Sequence, residues 1–133
     1  MEVVFALAVS GLAIAGIVSG YVFAVGAAEE SALSLAASGR AMERLEQTRG
    51  ASWQVTSYPQ IDQLQQTNFP NEVVTLDLPW AGTNTTTATN ITQITQISTT
   101  PPLRRIHVDC VWRFNGSQLL TNSIETCRAP DDQ

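Results

Sequence analysis

The sequence predicts an α+β fold in which one long N-terminal helix, hydrophobic in its first half and amphipathic in its second, packs on a small antiparallel β-sheet head. An apolar run of 26 residues extends from Val3 to Ala28 without a charged residue, His, Asn, Gln or Pro. Helical periodicity then continues from Glu29 to Arg49. From Leu103 to Phe114 apolar and polar residues alternate as in a strand, and Asn115-Gly116 supplies a turn signal.

The apolar run is long enough to cross a membrane. As a helix it would measure roughly 39 Å, against about 30 Å for the hydrocarbon core of a bilayer. A secretory signal has a basic start and a shorter apolar core, whereas this segment opens on acidic Met1-Glu2. Residues 1–28 are therefore predicted to form a transmembrane or filament-core helix.

Small residues are aligned along this helix. Gly16, Gly20, Ala24 and Ala28 recur every fourth position, and Gly11 precedes them. Aligned small residues let helices approach closely inside lipid. We predict that Gly11, Gly16, Gly20 and Ala24 serve assembly; a plain single-span anchor is the alternative.

Glu2 is the one charge at the start of the apolar run. It either lies among lipid headgroups or, if the helix is buried in an assembly, needs a cation. The first arginine is Arg40, so the α-amine of a neighbouring subunit is the candidate partner.

Residues 29–52 form the amphipathic half, which is predicted to pack on the head. Gly50 is a plausible helix terminator. The residues at helical spacing are Leu33, Ala36, Ala37, Ala41 and Leu45, together with the stems of Arg40 and Arg44.

Residues 53–133 are predicted to form the β-rich head. Trp53 to Thr56 is β-prone, and Glu72 to Leu78 alternates before Pro79 ends it. In Leu103 to Phe114, one face carries Ile106, Val108, Cys110, Trp112 and Phe114. Leu119 to Cys127 is the predicted antiparallel partner of that strand.

The segment Thr83 to Thr100 has nine threonines among eighteen residues, with isoleucine at every third position from 91 to 97. That period fits neither a strand nor a long helix, so we predict an exposed, mostly extended loop. It is either bare or glycosylated. Candidate acceptors are Thr85, Thr86, Thr87, Asn84 and Asn90, with Asn115 in the turn.

Cys110 and Cys127 suit a disulfide in an extracytoplasmic compartment, although two buried, unpaired thiols are the alternative. A two-residue hairpin at Asn115-Gly116 would separate the cysteines by about six positions, too far for a bridge. A disulfide therefore requires a wider loop, from about Asn115 to Asn122.

Composition argues against several classes of function. A net charge of −5 lacks the basic excess that nucleic-acid binding needs. His107 is the single histidine, and the sequence has no zinc, haem or phosphate-loop motif. We predict no catalytic residues, metal or cofactor, and no enzyme activity.

The opening Met1-Glu2-Val3-Val4-Phe5-Ala6-Leu7-Ala8-Val9, with its Gly/Ala-rich continuation to about Trp53, resembles the N-terminal helix of type IV pilins and pseudopilins. The resemblance implies that Glu2 pairs with the N-terminal amine of an adjacent subunit. It also implies insertion in the cytoplasmic membrane before assembly, with a prepilin peptidase and an assembly machinery as partners.

Two features depart from that family. Its members have a basic leader, a processing glycine and a few residues before the glutamate, whereas this sequence begins immediately before Glu2. We expect either a missing start of the mature chain or unusual processing. Many pilins also have a proline in the apolar half, and here any bend must rely on Gly16 and Gly20.

The expected function is that of a structural subunit of a type IV pilus-like extracellular filament, a helical homopolymer with its helices bundled in the core. A minor pseudopilin of a type II secretion-like system is the first alternative. A membrane-anchored extracellular binding module is the second.

Overall fold

The computed structural model describes residues 2–76 and 85–132. These residues have the predicted α+β architecture of one long helix and antiparallel sheets of two and four strands. The chain divides into two compact units, Met1–Ala32 and Leu33–Gln133.

Helix α1 spans Glu2–Gly50, which confirms the predicted long helix. In the first unit its apolar side chains are exposed. In the second unit one face of α1 is buried on the head, and Ala37 and Ala41 are completely covered. The buried residues of this face are Leu33, Ala37, Ala41, Arg44, Leu45 and Thr48.

The rest of the second unit is β-rich. The four longer strands form one antiparallel sheet in chain order, and the two short strands form a separate pair. A short 3-10 helix, Gln66–Asn68, lies between the two groups. The strands are β1 (Trp53–Gln54), β2 (Ile61–Asp62), β3 (Glu72–Leu76), β4 (Thr86–Thr99), β5 (Pro102–Phe114) and β6 (Gln118–Arg128).

The core lies between α1 and the four-stranded sheet. The predicted inner face of β5, from Ile106 to Phe114, is buried at every second residue, which confirms its alternation. Trp112 donates its indole N–H to Asn122 Oδ1 at 2.9 Å. The Asn122 amide in turn donates to Ser34 Oγ at 2.9 Å and Ser38 Oγ at 3.0 Å, which connects β6 to the helix.

The prediction that Thr83 to Thr100 is an exposed loop is wrong. Thr86–Thr99 is β4, paired with β3 on one side and β5 on the other. Its helix-facing side includes buried Asn90 and Thr92, and Thr92 accepts a hydrogen bond from Arg44. Because polar groups of the helix meet these residues, the strand lacks the apolar alternation that marks a buried face. A bulge between Gln96 and Ser98 shifts the register near its end.

The β5–β6 turn contains three residues instead of two. Phe114 pairs with Gln118, and both Asn115 (φ 49) and Gly116 (φ 72) have positive φ. A glycine adopts that conformation without the steric cost that a side chain carries. The extra residue offsets the register by one from the predicted tight hairpin, so Cys110 lies opposite Asn122.

The end of the described chain fastens the end of α1. Arg128 Nη1 donates to the carbonyl oxygens of Thr48 (2.8 Å), in the last turn of α1, and Ala51 (2.6 Å), one residue beyond it. The Thr48 carbonyl also accepts from the Ala51 N–H at 3.4 Å. Asp131 and Trp53 exchange two hydrogen bonds, both 2.8 Å long. We call this set of contacts the C-terminal clamp.

Candidate assembly surface

The first unit presents a continuous apolar surface. None of the most apolar part of α1 is buried, and the helix is long and apolar enough to cross a membrane. An exposed apolar surface of this length requires lipid or other proteins to cover it. The exposed large side chains are Val3, Val4, Phe5, Leu7, Val9, Leu12, Ile14, Ile17, Val18, Tyr21, Val22, Phe23 and Val25.

The predicted small-residue ridge is unfilled. A Cβ added at Gly11, Gly16 or Gly20 would meet no atom within 4 Å outside the glycine's immediate chain surroundings. Ala24 is exposed as well. Gly16, Gly20 and Ala24 lie one helical turn apart and so share a face. Within the described residues, this face has space for the backbone of another helix.

Glu2 lies in the first turn of α1 and is exposed. A carboxylate there interacts favourably with the helix dipole. No Arg or His of the described residues forms an ion pair with it, and the first arginine in the chain, Arg40, lies 38 positions later. A cation for Glu2 must come from outside the described part of the chain.

A second apolar stripe, absent from the sequence predictions, lies on the part of α1 that carries the head. Leu35 is 76% exposed and Met42 is 48% exposed, and exposed Gly39 lies between them. Their spacing of four and three positions places them on one face, away from buried Ala37 and Ala41. The same spacing is readable in the sequence, where it is less evident because glutamates at 43 and 46 follow.

Arg44 holds the helix on the head. It is 8% exposed; its Nε donates to Thr92 Oγ1 at 3.2 Å and its Nη2 donates to the Pro70 carbonyl at 2.6 Å. Glu72 lies 3.4 Å from Nη1, and the Phe69 ring centroid is 5.3 Å from the guanidinium carbon. Only the stem of Arg44 was predicted to pack, but the charged end is also enclosed and has a partner for each nitrogen.

A cavity of about 380 Å³ lies beside Arg44. The charges that line it are paired, Arg40 with Glu43 at 2.9 Å and Arg44 with Glu72. Asn90 also lines it, and its buried Oδ1 has no hydrogen-bond partner among the described residues. Since the charges balance, the cavity offers no net charge to select an ionic ligand.

His107 lies on the outer face of the sheet, beside a depression of about 190 Å³. Its Nε2 is 3.0 Å from Asp109 Oδ1, and its Nδ1 is 3.3 Å from Glu125 Oε2. The two carboxylates face opposite ring nitrogens and cannot join the histidine on one metal. Across residues 2–76 and 85–132, no group of three His, Cys, Asp or Glu side chains is arranged to hold a metal ion.

The predicted Cys110–Cys127 disulfide is not formed, and both thiols are free. Cys110 is opposite Asn122 and Cys127 is opposite Arg105, so five positions, about 16 Å, separate them along the strands. The odd offset also places them on different faces of the sheet. Cys110 is buried toward the helix, where burial raises the pKa of its thiol, and Cys127 is exposed.

One candidate glycosylation site is excluded by burial. Asn90 is only 2% exposed, and its Nδ2 points to the Arg40 carbonyl 3.4 Å away. A glycan on this side chain would separate the helix from the sheet. The prediction that Asn90 is a glycan acceptor is therefore wrong for the folded head.

The other candidate acceptors differ in position. Thr85, Thr87 and Asn115 are exposed, and Thr86 is half-buried. Asn84 lies outside the described residues. Glycosylation of Thr85, Thr86, Thr87, Asn84 and Asn115 stays a prediction.

No protein-family model, curated protein or solved structure matches this chain. Its function must therefore be inferred from the surface described above.

Proposed function

We propose that this chain is a structural subunit of a type IV pilus-like extracellular filament, in which copies of the N-terminal helix bundle in the core and the heads lie outside. The observation that carries the proposal is the helix surface that nothing in the described chain covers. This surface combines large apolar side chains with the small-residue ridge at Gly16, Gly20 and Ala24.

The stripe of Leu35, Gly39 and Met42 favours helix partners over lipid alone. About 20 residues suffice to span a bilayer, and Leu35 and Met42 are 7 and 14 positions beyond Ala28, where the apolar run ends. A simple anchor has no use for exposed apolar residues there. A neighbouring helix would cover the stripe, and Gly39 would permit its close approach.

Glu2 gives the direct test. In Glu2→Ala the protein should stay in the membrane while filament yield falls sharply, because the subunit loses the charge that pairs with a neighbour's amine. Electron micrographs of surface material, with immunoblots of the membrane fraction, measure both quantities. Glu29→Ala, which removes a carboxylate at the other end of the apolar run, should preserve filaments. Normal filament yield from Glu2→Ala would contradict the proposed pairing.

Purification distinguishes the alternatives. Long filaments of this one chain support the proposal. A short complex with several different pilin-like chains would instead indicate a minor pseudopilin. A monodisperse monomer in detergent would indicate a membrane-anchored binding module.

A further inference from the structure

The edges of the four-stranded sheet differ in how they are protected. An open β-edge presents unpaired N–H and C=O groups that can pair with another strand, and proteins usually block such edges. Three stretches of edge occur here: β3, the part of β4 that extends beyond β3, and β6.

Two of these edges are guarded. The Gln66 side chain binds the edge of β4 as a strand would: its Nε2 donates to the Thr92 carbonyl at 2.6 Å, and its Oε1 accepts from the Ile94 N–H at 2.9 Å. The part of the β3 edge that the structure describes is five residues long, and Arg40 Nε donates to the Thr75 carbonyl there at 3.2 Å.

The third edge, β6, is open over eleven residues. Within the described ranges, no group outside the sheet hydrogen-bonds to its backbone, and its pairing with β5 has no bulge. The strand contains no proline, and its charges are Glu125 and, at the end, Arg128. It lacks the features that normally prevent strand addition.

We infer that β6 pairs antiparallel with β6 of a second copy of this chain, with Ser123 opposite Ser123 on the two-fold axis. The matching open edge in the described chain is β6 itself, so a second copy supplies the complementary strand. This register overlaps all eleven residues and places Gln118 opposite Arg128. In this register each residue lies opposite a residue on the same face of the sheet. A shift by one position would instead pair residues of opposite faces.

Charge permits the same register. Glu125 lies opposite Thr121 of the second copy, and the two Glu125 side chains are four positions apart, about 13 Å. That distance exceeds the screening length of about 8 Å at physiological salt. Sliding the strands by two positions in one direction would halve the separation of these carboxylates.

The pairing also fixes the orientation of the two copies. In the head, α1 and β6 run in the same direction, because Ser34 and Ser38 contact Asn122 whereas Thr48 contacts Arg128. Antiparallel β6 strands therefore direct the two helices oppositely. The paired copies belong to structures of opposite polarity, such as two filaments that lie side by side. The pairing is a property of the heads and does not depend on the proposed filament.

Disulfide trapping tests the pairing. Leu119 is 59% exposed and lies opposite Cys127 of the second copy in this register. Cα atoms of opposite residues in an antiparallel pair are about 4.5–5.5 Å apart, within disulfide range. Full-length Leu119→Cys in detergent micelles, oxidised with copper phenanthroline, should give a covalent dimer on non-reducing gels at least tenfold faster than wild type.

Two controls test the register. Val73→Cys adds a thiol on β3 at a position that is 72% exposed, more than Leu119, and should cross-link no faster than wild type. Adding Cys127→Ser to Leu119→Cys should abolish the fast reaction. If Leu119→Cys reacts no faster than Val73→Cys, or if the fast reaction survives without Cys127, the proposal is overturned.

Charge variants at Thr121 give a second readout. Thr121→Lys places two attractive pairs against Glu125 of the other copy, and Thr121→Glu places two repulsive ones. At low salt we expect dimerisation about threefold tighter for lysine and about threefold weaker for glutamate than for wild type. Sedimentation of the full chain in detergent measures this, and since both variants share the same apolar helix, its association cancels. Equal affinities for the two variants would refute the pairing.

Discussion

Each half of α1 has a row of small residues, but among the described residues only the row in the second half is covered by another part of the chain. Ala37 and Ala41 are fully covered by the head, and they let the helix lie close to the sheet. Gly16 and Gly20 face open space. A row of small residues that packs against the chain's own head contributes to folding stability. An exposed row contributes to the stability of an assembly, when another molecule packs against it.

The same substitution in both rows gives the largest expected effects. Gly20→Leu should abolish filaments and leave the melting temperature of the head unchanged, because the added side chain blocks only an external partner. Ala37→Leu should instead destabilise the head by about 1–3 kcal/mol through overpacking. Electron microscopy and thermal unfolding in detergent measure the two outcomes.

Gly26→Leu is the control for Gly20→Leu, since position 26 is nearly opposite Ala24 around the helix and off the row. Gly26→Leu should reduce filament yield less than Gly20→Leu does. If Gly20→Leu filaments match wild type in amount and diameter, the row has no role in assembly. If Ala37→Leu is as stable as wild type, the contrast between the halves fails.

Arg44 is expected to have the next largest effect. Arg44→Met keeps the length of the stem but leaves the Pro70 carbonyl and Glu72 without their partner, so we expect a loss of about 3 kcal/mol in the free energy of unfolding. Arg49→Met is the matched control. It removes an exposed arginine on the same helix that pairs with Glu46 at 2.8 Å, and should cost about 0.5 kcal/mol or less. Denaturant titrations of both variants measure the two losses in the free energy of unfolding. Similar losses for Arg44→Met and Arg49→Met would contradict the prediction.

Acid should weaken the head by a smaller amount. Hydrogen bonds from Arg104, at 2.6 and 2.8 Å, lower the pKa of Asp62, and the Thr56 hydroxyl and backbone lower the pKa of Asp132 to about 2. Because these pKa values are lower in the folded state, their stabilisation is complete above about pH 4 and is lost toward pH 2. The melting temperature of the head should fall across that window.

Asp62→Asn separates this effect from general acid unfolding. It should cost about 1 kcal/mol at neutral pH, the value of a partly exposed charge pair, and flatten the fall between pH 4 and pH 2. Glu43→Gln, at an exposed position, should leave the acid profile unchanged. An Asp62→Asn profile parallel to that of wild type would contradict the assignment.

The two cysteines should differ in reactivity, with almost no effect on stability. In native protein a maleimide should label Cys127 and spare Cys110, which is buried and has a raised pKa. After unfolding, both should react without a reductant. Mass spectrometry of labelled peptides measures the labelling of each cysteine. If neither cysteine is labelled in unreduced, unfolded protein, a disulfide joins them.

The helix and the β5–β6 hairpin were predictable because their apolar residues follow one period over many positions. β4 was not, because its buried face includes Asn90 and Thr92, whose environment depends on Arg44, 48 positions from Thr92 in the chain. The disulfide prediction failed for a different reason: it required a wide loop from about Asn115 to Asn122, whereas the turn has three residues and leaves the cysteines five positions apart. The spacing of Leu35 and Met42 is readable in the sequence, but their exposure follows only from the sheet covering the other face of α1.

The C-terminal clamp makes completion of the head depend on the last strand and the residues after it. The hydrogen bond from the Trp53 N–H to Asp131 joins residues 78 positions apart. Arg128 binds the carbonyl oxygens of Thr48 and Ala51 from 80 and 77 positions away. Contacts between such distant residues form late, because the whole intervening chain must first be available. If the head is exported, as the proposed function requires, the clamp stays incomplete until Asp131 has crossed the membrane. Chains stopped before that point would carry a loosened helix end, by which proteases could distinguish them from finished subunits.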